Sequence, residues 1–396
     1  MTLKSSHSKS LVIIASLFFL FGFITCMNDV LMPHLKGAFT LNWREAALIQ
    51  FSFFSAFFLT SIPTSYFCER VGYQTGMCLG LGVAAIGTFG LMGATYWLTY
   101  AFFLVSLLVL ASGITLIQVA ANPYVILLGD AKTSSSRLTV IQAFNSLGTT
   151  VAPLVGSTVI LSTTTLDSIR APYFLMGILL VILSLFIFSI KLPKFCNQEK
   201  DETSWSEILK NRRLLLGALA IFTYVGAEVS LGSYMVGWLT SSFVTDLNIK
   251  TAASLVSLYW GGAMVGRFLG TPLLARFEPA RVLQYFTAGA IIFLSISIGT
   301  GGIIAQWSIL GVGLFNSIMF PTIFSMSISS VKYGKEKASG LLCTSIVGGA
   351  IVPFTQGIVA DNFSLRLGFL LPMLCYFYLF CFSFLLFRSR PFFKPS

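Results

Sequence analysis

Of fourteen acidic and twenty-five basic residues, three fall well inside long apolar runs: Asp29, Glu228 and Arg267. An unpaired ion at the centre of a bilayer-spanning helix costs at least ~2.5 to 3.5 kcal/mol, so such groups face a cavity or one another and mark ion or substrate pathways. A carboxyl in that position can take up and release a proton or hold a cation, which makes Asp29 and Glu228 candidate cation-coupling groups. The plainer alternatives are that Asp29 caps a helix end near Pro33 and that Glu228 only partners Arg267 or a backbone group. Arg267 stands among Gly262, Gly266 and Gly270, a spacing of small residues that permits close helix approach. Near the cytoplasmic end of its span, it reads as a snorkelling or gate-latching arginine.

Neutral amides form a second constellation. Gln118 and Asn122 are four residues apart and Gln142 and Asn145 three, so each pair shares a helix face. Every amide offers both donors and an acceptor, a chemistry suited to sugar hydroxyls in a wet cavity, and Asn28 extends the polar face of Asp29. The competing role is hydrogen bonding from helix to helix. Tyr234, together with Tyr224, Trp238, Tyr259 and Trp260, supplies rings that could pack on a sugar face.

Other chemistries find no support. The chain has no P-loop, no G-x-S-x-G and no H-E-x-x-H, so neither an enzyme nor an ATP-driven pump is expected, and no cofactor. Seven cysteines with no C-x-x-C pair, and only His7 and His34 beside them, point to free thiols and away from a metal site. The formal charge of +11 is scattered over short loops in no stripe or tail, which argues against nucleic acid.

These residues must be positioned by membrane helices. The 396 residues are 56% hydrophobic and 10% charged, against about 25% charged in an ordinary soluble domain. Runs near the ~20 residues a spanning helix needs lie at 11–33, 46–67, 75–94, 98–122, 137–161 and 171–190, then at 214–242, 251–272, 280–299, 303–330, 338–359 and 367–388. The expectation is an all-α membrane protein of twelve transmembrane helices in two six-helix repeats: a bundle at 1–190, a cytoplasmic linker at 191–213 and a bundle at 214–396. The first apolar run is too long for a signal peptide and lacks an A-x-A site, so it is expected to be retained. With the N-terminus cytoplasmic, inside segments hold nineteen Lys or Arg and outside loops five, a bias that places both termini inside. Asp29, eighteen residues beyond Leu11, then lies about 27 Å along its helix, in the outer half of the membrane. Asp29 with Glu228, Pro123 with Pro321 and Pro153 with Pro353 recur at offsets of 199, 198 and 200, as two parallel repeats would arrange them. Secondary transporters built on repeats hold their substrate near the midplane.

Taken together, N-D-V-L-M-P (28–33), Q-V-A-A-N-P-Y (118–124), R-L-T-V-I-Q-A-F-N-S-L-G (137–148), Y-V-G-A-E-V (224–229), G-R-F-L-G (266–270) and F-P-T-I-F-S (320–325) resemble the fucose:proton symporters and glucose/galactose transporters of the major facilitator superfamily. The resemblance covers nearly the whole chain. It implies a monomeric inner-membrane importer of a neutral hexose, surrounded by membrane lipid and driven by H⁺ or Na⁺. In fucose symporters the aspartate matching Asp29 and a glutamate in the fourth helix serve proton coupling and sugar binding. That second position is Gln118 here, and Gln118 with Glu228 looks like the glucose/galactose branch. Glu228 would then replace the missing acid and pair with Asp29 across the repeats. The superfamily's motif between helices 2 and 3 survives only as E-R-V-G-Y-Q (69–74), so the cytoplasmic latch is expected to differ. A proton-coupled exporter of drugs or metabolites shares the twelve-helix form and is the alternative, with a sugar sensor behind it.

Overall fold

A bilayer offers no water to the backbone, so a spanning segment must satisfy its N–H and C=O groups internally, as a helix does. The computed structural model describes residues 2–40, 43–159, 166–193 and 203–388, and no strand occurs among them. In chain order the helices are α1 (Thr2–Ala38), α2 (Trp43–Val71), α3 (Tyr73–Trp97), α4 (Tyr100–Leu127), α5 (Ser134–Val159), α6 (Arg170–Ser189) and a short α7 (Trp205–Lys210). They continue as α8 (Arg212–Leu239), α9 (Ile249–Arg276), α10 (Pro279–Gly299), α11 (Gly302–Asn316), α12 (Met319–Ile328), α13 (Lys335–Thr344), α14 (Gly348–Asn362), α15 (Leu365–Gly368) and α16 (Leu370–Arg388). Each of the last three expected spans is broken into two helices: α11 with α12, α13 with α14, and α15 with α16. Counting each broken pair once and leaving out α7 gives the twelve-helix pattern.

Among the described residues, ten stretches are long and apolar enough to cross a membrane. The remaining two spans, α5 and α9, are 26 and 28 residues long, enough to cross at about 1.5 Å per residue. Their lower apolarity reflects the polar groups they carry: Gln142 and Asn145 on α5, and Arg267 on α9. Phe58, Leu175, Leu185, Phe188, Phe354 and Leu374 are exposed, as lipid-facing side chains are in a protein whose solvent is hydrocarbon.

The chain forms two compact units. The first comprises 1–129, 147–208 and 332–344; the second comprises 130–146, 209–331 and 345–396. Thus the first half of α5 groups with the second unit, and α13 with the first. These exchanged pieces begin about 200 residues apart, the same offset as the repeated residues. In the first unit α3 packs on α4 and α6, and α13 lies on α2 and α4. In the second, α11 packs on α9 and α10, while α14 and α16 pack on α8. No disulfide joins the described cysteines; Cys196 lies outside the described residues.

Two prolines at repeat-related positions shape these units in the same way. Proline has no N–H and leaves the carbonyl four residues before it without its helical donor. For Pro123 that carbonyl belongs to Val119, and Ser339 Oγ of α13 donates to it at 2.8 Å. For Pro321 it belongs to Ser317, and Arg267 Nε of α9 donates to it at 3.0 Å. Both helices thus turn a local defect into a contact with another helix.

Candidate functional site

In the second unit, Tyr224 and Glu228 are four residues apart on α8 and meet on one face. The Tyr224 hydroxyl lies 2.8 Å from Glu228 Oε1 and 3.0 Å from the main-chain oxygen of Asn316. That oxygen is available because α11 ends at Asn316, and the last carbonyls of a helix have no intrahelical donor. The Asn316 side chain is bound on both ends: its Nδ2 donates to Tyr259 Oη at 2.7 Å, and Tyr376 donates to its Oδ1 at 2.6 Å. Tyr259 in turn donates to the Glu228 carbonyl at 3.3 Å. Tyr224, Tyr259, Tyr376 and Asn316 are fully buried, whereas Glu228 is half-buried. A single carboxyl is therefore embedded in a fixed set of hydroxyls and one amide.

Arg267 occupies the next layer of the same unit. A Cβ on Gly266 would strike Leu314 and Ser317, and one on Gly270 would strike Ile318, so only glycine lets α9 approach the α11–α12 break this closely. Arg267 is consequently 9% exposed and does not snorkel. Its Nη1 donates to the Gln142 carbonyl at 3.1 Å and to Ser146 Oγ, both on α5, while Nε holds Ser317. Ser136 Oγ adds a second α5–α9 tie at the Thr271 carbonyl, 2.9 Å away. No carboxylate forms an ion pair with Arg267 among the described residues; a planar fork on carbonyls and a hydroxyl takes that place.

Truncating this arginine strands the Ser317 carbonyl in a buried place. Arg267→Ala should lower stability by about 1–3 kcal/mol, the penalty for an unsatisfied buried acceptor. Arg267→Lys should recover only part, because an ammonium lacks the fork. Thermal unfolding of the purified variants checks this, and a wild-type melting temperature in Arg267→Ala contradicts it.

The remaining predicted residues divide between the units. Gln118 (6% exposed) and Asn122 (0%) sit on α4 in the first unit. Both amide atoms of Asn122 lack a hydrogen-bond partner among the described residues. Gln142 is buried and Asn145 half-buried on the part of α5 that groups with the second unit. Tyr234 donates its hydroxyl to the Pro353 carbonyl at 3.1 Å, so that group is already engaged with α14. Asn28 and Asp29 lie in α1, and their side chains fall outside the described residues. Sequence reasoning missed Asn316, Ser317, Ser146 and Tyr376, and treated Tyr224 only as a ring. The available signal was a polar Asn-Ser pair four and five residues before Pro321.

The E-R-V-G-Y-Q segment also acquires a partner in the first unit. Gly72, at φ 84°, makes the one-residue turn between α2 and α3. Glu69 Oε1 lies 2.9 Å from Lys337 Nζ of α13, which also donates to the Thr203 carbonyl at 2.8 Å. Trp205 of α7 lies tilted against Tyr66 of α2, with ring centroids 5.8 Å apart.

The Major Facilitator Superfamily profile matches residues 14–345. This chain belongs to that superfamily. A glucose/galactose transporter of Brucella abortus is 45% identical over 389 residues, covering 95% of this chain and 93% of its own. A putative glucose/galactose transporter of Helicobacter pylori is 39% identical over 398 residues, covering 96% and 97%. The crystal structure of the Escherichia coli fucose:proton symporter superposes with a TM-score of 0.87 at 28% identity, over 97% of this chain and all of that one. The facilitator described here thus falls in the glucose/galactose branch of the fucose:proton symporter family. It is a multi-pass membrane transporter and not an enzyme.

Proposed function

We propose that this facilitator imports a neutral hexose of the glucose/galactose type across the bacterial inner membrane by symport with a proton. The observation that carries the reading is Glu228, a carboxyl in an apolar span held by the Tyr224 hydroxyl at 2.8 Å. Relatives named glucose/galactose transporters support the substrate class, and a 30% identical L-fucose-proton symporter of Escherichia coli supports the cation. An exporter reading has no comparable support among these relatives. Asp29 is the second coupling carboxyl and Arg267 the gating residue. The protein works as a monomer in lipid; both termini and the 191–213 linker are cytoplasmic, a topology supported by nineteen inside basic residues against five. A topology reporter fused at residue 200 reads this directly; a periplasmic signal contradicts it.

Net symport follows if the carrier holding both proton and sugar and the carrier holding neither change state readily, while the carrier holding only one of them changes state slowly, so that both ligands bias one equilibrium. Asn28, Gln118, Asn122, Gln142, Asn145 and Tyr234 form the sugar-binding set. Losing one hydrogen bond to a neutral hydroxyl costs roughly 0.5 to 1.5 kcal/mol, about a two- to tenfold loss of affinity. Alanine at Gln118, Gln142 or Asn145 should weaken hexose binding by that factor in equilibrium titrations. Unchanged affinity in all three variants places the sugar elsewhere.

A further inference from the structure

Counting hydrogens around Tyr224 leads beyond the assignment of Glu228 as a coupling carboxyl, on which the following rests. The Tyr224 hydroxyl has one hydrogen and two close oxygens, Glu228 Oε1 at 2.8 Å and the Asn316 carbonyl at 3.0 Å. A carbonyl oxygen only accepts, and an ionised carboxylate only accepts. With Glu228 ionised, the charge-assisted bond to the carboxylate claims the hydrogen, and the Asn316 carbonyl faces a hydroxyl oxygen with nothing between them. With Glu228 protonated, its own O–H donates to Tyr224, and Tyr224 donates to Asn316. Only the protonated form satisfies both contacts.

Among the described residues, Tyr224 is the one hydrogen-bond partner of both the Glu228 carboxyl and the Asn316 carbonyl outside regular helix bonding. Tyr259 commits its hydrogen to the Glu228 carbonyl and Tyr376 to Asn316 Oδ1. The Arg267 guanidinium is held by Ser317, Gln142 and Ser146. Helices α11 and α12, also packed on α8, carry no titratable side chain, and the single acid of α14, Asp361, stands near that helix's C-terminal end.

We propose that Tyr224 is a positioning residue whose single hydroxyl hydrogen passes between Glu228 and the Asn316 carbonyl, reporting the charge of Glu228 to the break between α11 and α12. The proton taken up sits on Glu228, and no bond to carbon changes. Ser317, the next residue of the break, is gripped by Arg267, which also grips Gln142 and Ser146. Neutralising Glu228 therefore adds the Tyr224–Asn316 hydrogen bond to a connection that continues along the Asn316–Ser317 backbone and through the Arg267 hydrogen bonds to α5. The candidate sugar amides Gln142 and Asn145 lie on that stretch of α5. Protonation at one end thereby favours the sugar-binding geometry at the other, which is a coupling free energy between two sites.

The test is hexose affinity of the purified full chain from acidic to alkaline pH, with infrared difference spectra of the same samples. Wild type should bind roughly tenfold more weakly once Glu228 ionises, an ordinary strength for linked sites. In Tyr224→Phe the carboxylic-acid band of Glu228 should still titrate, while the pH dependence of affinity falls below about twofold. An unchanged pH slope in that variant overturns the role of Tyr224. Should Tyr224→Phe fail to fold, wild type carrying ring-labelled tyrosine decides. A tyrosine C–O band should shift together with the Glu228 acid band and be absent in Glu228→Gln; an acid band without it overturns the proposal. If Glu228→Gln instead keeps both the acid band and the pH slope, the coupling assignment itself fails, and the inference with it.

Discussion

Glu228→Gln should exchange sugar for sugar across the membrane yet lose at least about tenfold of its proton-driven accumulation ratio, each factor of ten being about 1.4 kcal/mol of gradient no longer harnessed. The substitution keeps the shape and permanently mimics the neutral acid. Its amide can donate to Tyr224 as the protonated carboxyl does, leaving the Tyr224 hydrogen for the Asn316 carbonyl 3.0 Å away. Affinity should therefore stay near the wild-type acidic value at every pH, with the alkaline loss removed. The sign follows from the site: the contacts of Tyr224 are complete when Glu228 is neutral, so sugar binding is favoured at low pH and weakened as the carboxyl ionises. Counterflow and gradient-driven uptake in proteoliposomes, measured from acid to alkali with and without sodium, separate the two behaviours. A wild-type pH and sodium profile would leave Glu228 as a structural partner of Tyr224 and Asp29 as the sole coupling group.

Asp29→Asn should be the other severe lesion, reducing accumulation by an order of magnitude or more while sugar exchange survives. Asp29 and Glu228 are the two acids deep in the spans, and burying an ion in a helix centre at ~2.5 to 3.5 kcal/mol or more is tolerated where function requires it. Asparagine removes the ionisable group and keeps the volume, so exchange isolates binding from coupling. Accumulation equal to wild type in Asp29→Asn rejects the assignment. The double variant with Glu228→Gln should accumulate no sugar above equilibrium under any imposed proton gradient.

The twelve spans were readable in the sequence because lipid imposes one rule on all of them, about 20 apolar residues with no uncompensated charge. The three membrane-embedded charges were readable for the same reason, as exceptions to that rule. What each charge touches was not. Tyr224 and Glu228 at i and i+4 declare a shared face, but Asn316 is 92 residues from Tyr224, and nothing local announces that contact. The tenth span reads as one continuous run at 303–330, and its break between Asn316 and Met319 depends on outside donors that satisfy the freed carbonyls. Arg267 looked free to snorkel because its distance to the helix end is short. The glycines beside it admit the α11–α12 break so closely that the side chain turns inward to Ser317 and α5. Tyr234 was assigned by ring chemistry, and the contact of its hydroxyl with the Pro353 carbonyl, 119 residues away, was not readable locally. Periodicity and composition report on solvent, and these assignments depend on long-range neighbours.

Uptake of radiolabelled glucose and galactose into proteoliposomes containing only this protein, with proton and sodium gradients imposed separately, tests the central claim most directly. The account predicts accumulation of hexose above equilibrium when the outside is acid, collapse of that accumulation when a protonophore is added, and no accumulation from a sodium gradient alone. Hexose that equilibrates without ever exceeding the outside concentration under a proton gradient, or that is expelled by it, would contradict proton-coupled import.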